Sequence, residues 1–369
     1  MAQSTPHAAH RFVPCAARRS DRAAHAHALD DRVCRARGAL GTATLCAALI
    51  VGAQPALAAE DVVTVLAPTW VGFAPALVAD DLGYYEEEGI SVDFRFEDDR
   101  ANVMSAIERG DIDVDMRTVG EHQGSPRVDE TPGTIIGTID LSLGGDGVLV
   151  SGDIASVADL AGKTVAIEPN IPARLLLQMA LKQGGLSLED VDLREIATAD
   201  TIAVLADDSI SAVGTYEPFL SQALTAVPDR EPKVLLSSKD EPDLIIDIIT
   251  ARDDDLAAHP EKYAKFLRGV YRAVDFFEQD PARFAELAAP HYGLSADEVT
   301  EIVDTSLSYT TYEQALEMLG TPDAPGTLHG FFDQVMELNL EFGAAEVALD
   351  ADKEIDASVL DGLFDGATR

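Results

Sequence analysis

The stretch "SAVGTYEPFL", Ser211–Leu220, decides how the chain is read. A short apolar run, Ser211–Thr215, ends in an aromatic residue, a carboxylate and a proline. An apolar segment, Phe219–Ala226, follows at once. Proline fits the first turn of a helix, because the N–H it lacks would be unpaired there anyway. The same order of strand end, polar or aromatic turn, proline and helix occurs in "LAPTWVGFAP" (Leu66–Pro75) and in "AIEPNIPARLLL" (Ala166–Leu177). In open α/β sheets, ligands bind beyond the carboxyl ends of the strands, where helix N-termini offer free N–H groups. One such turn reads as a helix cap. Three at like positions read as one shared cleft.

Outward from these turns, strand and helix signals alternate from residue 61 to about 250. Val62–Leu66, Ser91–Phe96, Val114–Thr118 and Thr134–Ile139 read as strands. Gly147–Val150, Thr164–Ile167, Leu193–Ala197, Ser211–Thr215, Lys233–Leu236 and Leu244–Thr250 continue the series. Helices intervene at Phe73–Asp81, Asn102–Glu108, Ala173–Gln183, Thr201–Asp207 and Phe219–Ala226. This rhythm predicts an α/β fold of mostly parallel sheets flanked by helices. Beyond Arg252 the pattern is helical. His259–Gln279 carries Tyr263, Phe266, Leu267, Val270, Tyr271, Val274 and Phe277 on one stripe. Leu328–Phe342 carries Leu328, Phe331, Phe332, Val335, Leu338 and Phe342. Such stripes are core faces.

Residues 1–59 read as a leader. Gly38–Gly52 is an apolar run of secretory length, Arg32, Arg35 and Arg37 precede it, and Ala56-Leu57-Ala58 follows as a cleavage signal. Cleavage is expected near Ala58/Ala59. All three cysteines (Cys15, Cys34, Cys46) lie in this segment, so the remainder offers no disulfide, thiol nucleophile or Cys-based metal site. Removing the leader's 7 arginines and 3 aspartates leaves 20 basic and 62 acidic residues of the chain's 27 and 65, a net charge of −42. No basic face can be assembled from so few cations, which excludes nucleic acid as a partner. The acidic residues are spread over nearly every helix and loop. That reads as adaptation of the whole surface to salty surroundings, with capture of a cationic ligand as the other reading.

Catalytic motifs are missing. There is no G-x-S-x-G, no G-x-x-x-x-G-K-[ST] and no dinucleotide fingerprint. The histidines after the leader, His122, His259, His291 and His329, have no ligand spacing, and "ERGDIDVD" (Glu108–Asp115) lacks the spacing of a calcium loop. No catalytic residue, metal or cofactor is expected. One further segment stands out: "SLGGDGVLVSG" (Ser142–Gly152) sets Asp146 among glycines, where the backbone either approaches a ligand or crosses between two lobes.

Taken in order, these segments resemble the nitrate/sulfonate/taurine class of ABC-importer substrate-binding proteins, the group that also holds thiamine-precursor binders. "TWVGFAPALVADDLGYYEEEGISVDF" (Thr69–Phe94) is similar to that family's opening, and "AIERGDIDV" (Ala106–Val114) to its next element. "VADLAGKTVAIEP" (Val157–Pro169) resembles the start of its second lobe. "TYEPFL" resembles its "W.EP" element, with Tyr216 where Trp is usual. "LLSSKDEPDLIIDIITARDDDLAAHPE" (Leu235–Glu261) resembles the return to the first lobe.

The resemblance implies a two-lobed type II periplasmic-binding fold. Residues 60–143 plus 245–369 would form lobe one and residues 144–244 lobe two, with crossovers near Gly144-Gly145 and Asp240–Asp243. It also implies a periplasmic monomer that traps a small solute between the lobes and docks on an ABC permease with its ATPase. The first-lobe wall would come from Trp70, Gly72, Phe73, Arg117, Thr118, Glu121 and His122. The second would come from Asp146, Gly147, Glu168, Arg174, Tyr216 and Glu217.

Arg117 and Arg174 suit an oxyanion. Asp146, Glu168 and Glu217 suit an amine, amidine or urea-like donor, and a zwitterion such as taurine would use both sets. Arg174 paired with one of the carboxylates would instead only shape the wall. Two other classes stand beside this one. One is an enzyme on the same scaffold, of pyrimidine-synthase or deaminase type, whose cysteines are missing here. The other is a sensor module for a membrane receptor.

Overall fold

The computed structural model describes residues 61–128, 130–242, 244–321 and 324–365. The leader reading of residues 1–59 lies outside them. Two sheets organise the chain. The first has six strands in the order β2-β1-β3-β10-β4-β11. They are β1 (Asp61–Ala67), β2 (Ile90–Phe96), β3 (Val114–Thr118), β4 (Thr134–Ser142), β10 (Ile246–Ala251) and β11 (Leu307–Tyr309). The second has five in the order β7-β6-β8-β5-β9: β5 (Asp146–Val150), β6 (Thr164–Ile167), β7 (Asp192–Glu195), β8 (Ala212–Tyr216) and β9 (Lys233–Ser237). Helices flank both, giving two lobes.

The sheets are mixed, where the sequence rhythm predicts mostly parallel ones. β1 pairs in parallel with β2 and β3, and β6 with β7 and β8. β10 runs antiparallel to both β3 and β4, and β5 antiparallel to both β8 and β9. The reason is connectivity. Parallel neighbours need a crossover helix, which sets their direction. β5 and β10 arrive straight from the other sheet without one. Each is inserted at the same place, beside the third strand of its host.

The two crossovers, Ser142–Asp146 and the segment between Ser237 and Ile246, lie side by side. The Ser238 hydroxyl hydrogen-bonds the Ser142 hydroxyl (2.8 Å) and accepts from the Gly144 N–H (2.7 Å). The N–H groups of Leu143 and Gly145 both donate to the Ser306 carbonyl.

Local pattern explains the larger lobe's core. In β1, Val63, Val65 and Ala67 alternate inward. The helix Pro260–Gln279 buries Tyr263, Phe266, Leu267, Val270, Tyr271 and Val274 at the predicted spacing, with Phe277 half-buried. Tyr85 stacks on Phe266 at 5.6 Å, and Gly269 gives it room, since a Cβ there would lie 2.3 Å from the Tyr85 ring.

The last long helix, Thr327–Glu341, is rotated from the predicted face. Met336 and Asn339 are buried, while Phe331, Leu338 and Phe342 are half-buried. Asn339 explains this, because its amide donates to the Gly120 carbonyl (3.0 Å) and to Gln123 Oε1 (3.1 Å). Sequence reading passed over the helix Pro281–Tyr292, although Asp280 caps it and proline opens it. No helix among the described residues is long and apolar enough to cross a membrane.

Candidate functional site

Two rows of residues meet between the sheets. On the first sheet, Asp140 stands opposite Asp247, and Asp247 opposite Thr118, across three adjacent strands. On the second, Asp146 stands opposite Tyr216. Between the rows lies a small cavity of about 20 Å³. Thr118, Glu121 and Asp247 line it from the first lobe and Asp146, Pro172 and Tyr216 from the second, while Pro68 and Trp70 close one end. From Thr118 and Glu121 a groove continues between the lobes past Asn170, Arg174 and Gln178.

Trp70 is the chain's single tryptophan. Its indole N–H is shared between the two carboxyl oxygens of Asp140, at 3.2 Å each. Two glycines admit the ring. A Cβ on Gly72 would lie 2.1 Å from both the indole nitrogen and Asp140 Oδ2, and one on Gly145 would lie 2.2 Å from Trp70 Cη2. Tyr216 meets Trp70 edge-on, with ring centroids 6.4 Å apart and planes at 83°. Its hydroxyl donates across the lobes to Asp98 Oδ1 (3.1 Å). Further along, Asn170 donates to the Ser125 carbonyl (3.0 Å), Gln178 to the Phe342 carbonyl (3.3 Å), and Lys182 pairs with Glu341. The lobes are therefore shut on each other.

The cavity is acidic, and no Lys, Arg or His among the described residues lines it. Burial, aided by the like charges of Glu121, Asp140 and Glu217, pushes the Asp146 carboxyl up to about 8. Burial likewise lifts Asp140 to about 7, against the Trp70 hydrogen bond that favours its charge. Asp247 is raised well above the ordinary carboxylate range by burial and by Asp140 beside it. A buried carboxylate without a cation takes up a proton, because the charged form is costly to desolvate.

Of the residues predicted from sequence, Trp70, Thr118, Glu121, Asp146 and Tyr216 come together at the cavity. Arg174 lies along the adjoining groove, 3.6 Å from Glu195. Glu168 lies on an outer groove with Asp98, Arg100 and Asn170, where it accepts from Thr198 N–H (2.9 Å) and hydroxyl (2.5 Å), and burial raises its pKa.

The others are corrected. Phe73 is fully buried in the core, because the tight turn Val71–Phe73 swings it inward. Gly72 makes room for Trp70 and does not line the cavity. Gly147 lets β5 approach β9, since a Cβ there would lie 2.8 Å from the Leu236 carbonyl. Arg117 is a wall strut, with its guanidinium held by Glu121 (3.2 Å), the Glu97 carbonyl (2.6 Å) and Asp115 (3.4 Å). His122 faces Glu354 (3.0 Å) and Phe332 on the far side, and burial lowers its pKa to about 4.

Glu217 turns into its own helix. Its carboxylate accepts from the Ser221 hydroxyl (2.7 Å) and the Ser221 N–H (3.1 Å), which caps Phe219–Ala226. Thr118 and Glu121 also form a capping box, for the short helix Val119–Gln123.

Asp140, Asp247 and Asp98 were missed. The first two had a signal, a lone carboxylate within "TIIGTIDLS" and within "LIIDIIT".

The profile of the family described as "NMT1/THI5 like" matches residues 70–284. The chain belongs to this family. The match begins at Trp70 and takes in the whole second sheet and β2, β3, β4 and β10 of the first, so for this NMT1/THI5-like protein every residue lining the cavity except Pro68 falls inside the shared region. A candidate binding protein of Brucella abortus (strain 2308) is 22% identical over 269 residues, which are 73% of this chain and 81% of that protein.

Among solved structures, the chain is similar to the alkanesulfonate-binding protein SsuA of Xanthomonas axonopodis pv. citri bound to MOPS. The TM-score is 0.67 at 16% identity, covering 81% of this chain and 99% of that one. It is also similar to the periplasmic nitrate-binding protein NrtA of Synechocystis PCC 6803, with a TM-score of 0.68 at 12% identity, covering 84% and 89%. These likenesses establish the two-lobed periplasmic-binding fold. The resemblance read from the ordered motifs is borne out at the level of family and fold.

Proposed function

We propose that this protein is the extracytoplasmic solute-binding component of an ABC importer. It traps a small polar organic solute between lobe one (60–143 plus 245–369) and lobe two (144–244) and delivers it to a membrane permease. The observation that carries this reading is the closed cleft. One cavity lies between two lobes joined by two adjacent crossovers, and Tyr216 reaches across it to Asp98. The names of the neighbours, sulfonate- and nitrate-binding proteins, support it. Trp70, Thr118, Glu121, Asp146 and Tyr216 form the wall together with Asp247, and Glu168 and Arg174 sit at the rim.

The protein acts as a periplasmic monomer once residues 1–59 are removed, with permease and ATPase as partners. It turns nothing over. Its work is differential affinity, since a ligand that prefers the closed state shifts the open–closed population. Thermal-shift screening against sulfonates, nitrate, amines, amidines and ureas tests the reading, with Trp70 fluorescence as a second signal. A true ligand at a hundredfold excess over its dissociation constant stabilises the fold by roughly 2.7 kcal/mol. No shift with any of these solutes overturns the reading.

A further inference from the structure

The cavity's walls select a charge sign. Three carboxyl side chains, from Glu121, Asp146 and Asp247, line a space that no basic side chain among the described residues lines. The guanidinium of Arg117 is spent on Glu121, Asp115 and the Glu97 carbonyl, that of Arg100 on Asp115 (2.8 Å), and that of Arg174, in the adjoining groove, faces Glu195 (3.6 Å). At the closed end stand two aromatic rings, Trp70 and Tyr216. Aromatic faces and desolvated carboxylates both favour a cation.

We propose that this cavity holds a cationic nitrogen, the ammonium or amidinium end of the solute, against Asp146 and Asp247, and that seating it expels a proton to solvent. The inference rests on the reading of the cleft as a solute site.

The charge balance follows from what faces Asp146. Glu121 approaches from the short helix Val119–Gln123, Asp140 from β4, Asp247 from β10, and Tyr216 and Glu217 from the end of β8. Without a cation, burial among like groups keeps a proton on Asp146 at neutral pH and raises Asp247 well above the ordinary carboxylate range. A cation restores the reason to ionise. One carboxyl proton leaves to buffer as the N–H⁺ donor takes its place, and the cavity's net charge is unchanged. An anion behaves in the opposite way. It would need the acids protonated, so its binding would weaken as pH rises, whereas cation binding tightens.

Isothermal titration calorimetry separates the two. Benzamidinium chloride, butylammonium chloride, taurine, methanesulfonate and sodium nitrate are titrated near pH 6, 7 and 8, in two buffers of different ionisation enthalpy. The expected result is binding of benzamidinium or butylammonium with about one proton released. Affinity should rise toward tenfold per pH unit up to about pH 8. In Asp146→Asn, affinity for the cation should fall at least about tenfold and proton release should shrink, with Asp247→Asn as a second variant should the first fold poorly. Binding of methanesulfonate or nitrate that strengthens as pH falls overturns the cationic assignment and leaves the solute-binding reading standing. Wild-type cation affinity and proton release in both variants overturns it too. No heat from any probe overturns both readings.

Discussion

Asp140 and Asp247 stand opposite each other on antiparallel strands in the middle of the larger sheet, with the Trp70 indole N–H laid across Asp140. Such a pair is stable only if it shares a proton, because two carboxylates at this spacing in a buried site repel strongly. The fold therefore carries protons into neutral pH that the unfolded chain gives up near pH 3.9.

The sign of the pH dependence follows. Asp140, Asp146 and Asp247 have folded pKa values raised above their unfolded ones. Their contribution to stability is fully present below about pH 4 and is lost as pH rises toward 7 and 8. His122, lowered to about 4, has the opposite slope between about pH 4 and 6.5, so the raw curve mixes the two. The comparison of Asp146→Asn with wild type isolates the acid. Its stability relative to wild type should climb by about 1 kcal/mol per pH unit from pH 5 to 7, read by urea unfolding of the ligand-free protein. A difference that stays flat with pH means that Asp146 is ionised in the fold.

Glu217 belongs to its helix. Glu217→Ala should lower stability by about 1 kcal/mol through the lost cap on Ser221, and leave solute affinity within about twofold. Chemical unfolding and calorimetry on the same preparation decide it. A large loss of affinity with unchanged stability would return Glu217 to the binding wall.

Legibility followed the range of each signal. Strand-end turns announce themselves locally through proline, glycine and a change of period, which is why the sequence places Trp70, Thr118, Asp146 and Tyr216 at or just past strand termini. Glu217 reads from sequence as a wall residue because its partner, Ser221, sits four residues on, where a hydroxyl looks like any surface residue of an amphipathic helix. Asp140 and Asp247 each interrupt an apolar strand visibly. Their meeting depends on β10 returning from the second lobe to pair with β4, a contact 107 residues apart that no local pattern encodes. The mixed sheets escaped for the same reason. Strand direction is set by the crossovers, and the rhythm of strands and helices does not reveal it.

Tyr216 is the wall residue that also fastens the lobes. Tyr216→Phe keeps the ring against Trp70 and removes the hydrogen bond to Asp98. A neutral-to-charged hydrogen bond of this kind contributes about 1 to 3 kcal/mol, here only to the closed state. The variant should bind solute about fivefold to a hundredfold more weakly, with melting of the ligand-free protein nearly unchanged and a larger radius of gyration by X-ray scattering. Unaltered affinity and scattering would show that the lobes close without this contact.

The surface charge makes the last prediction. With 62 acidic against 20 basic residues beyond the leader, the folded chain repels itself at any neutral pH. Most of these carboxylates are exposed, and the salt bridges that engage a few of them, such as Arg109–Asp111 and Arg283–Glu286, lie in solvent and add little. Screening length falls from about 10 Å at 0.1 M salt to about 3 Å at 1 M. Repulsion between neighbouring exposed carboxylates fades over that range, while the buried acids of the cleft are hardly screened. Melting temperature should therefore rise by several degrees between about 0.1 and 1 M NaCl, by a similar amount in wild type and in Asp146→Asn. A curve that is flat or falls with salt would mean that attractive pairs outweigh repulsion on this surface, and would remove the case for adaptation to salty surroundings. A rise confined to wild type would place the salt effect in the cleft instead.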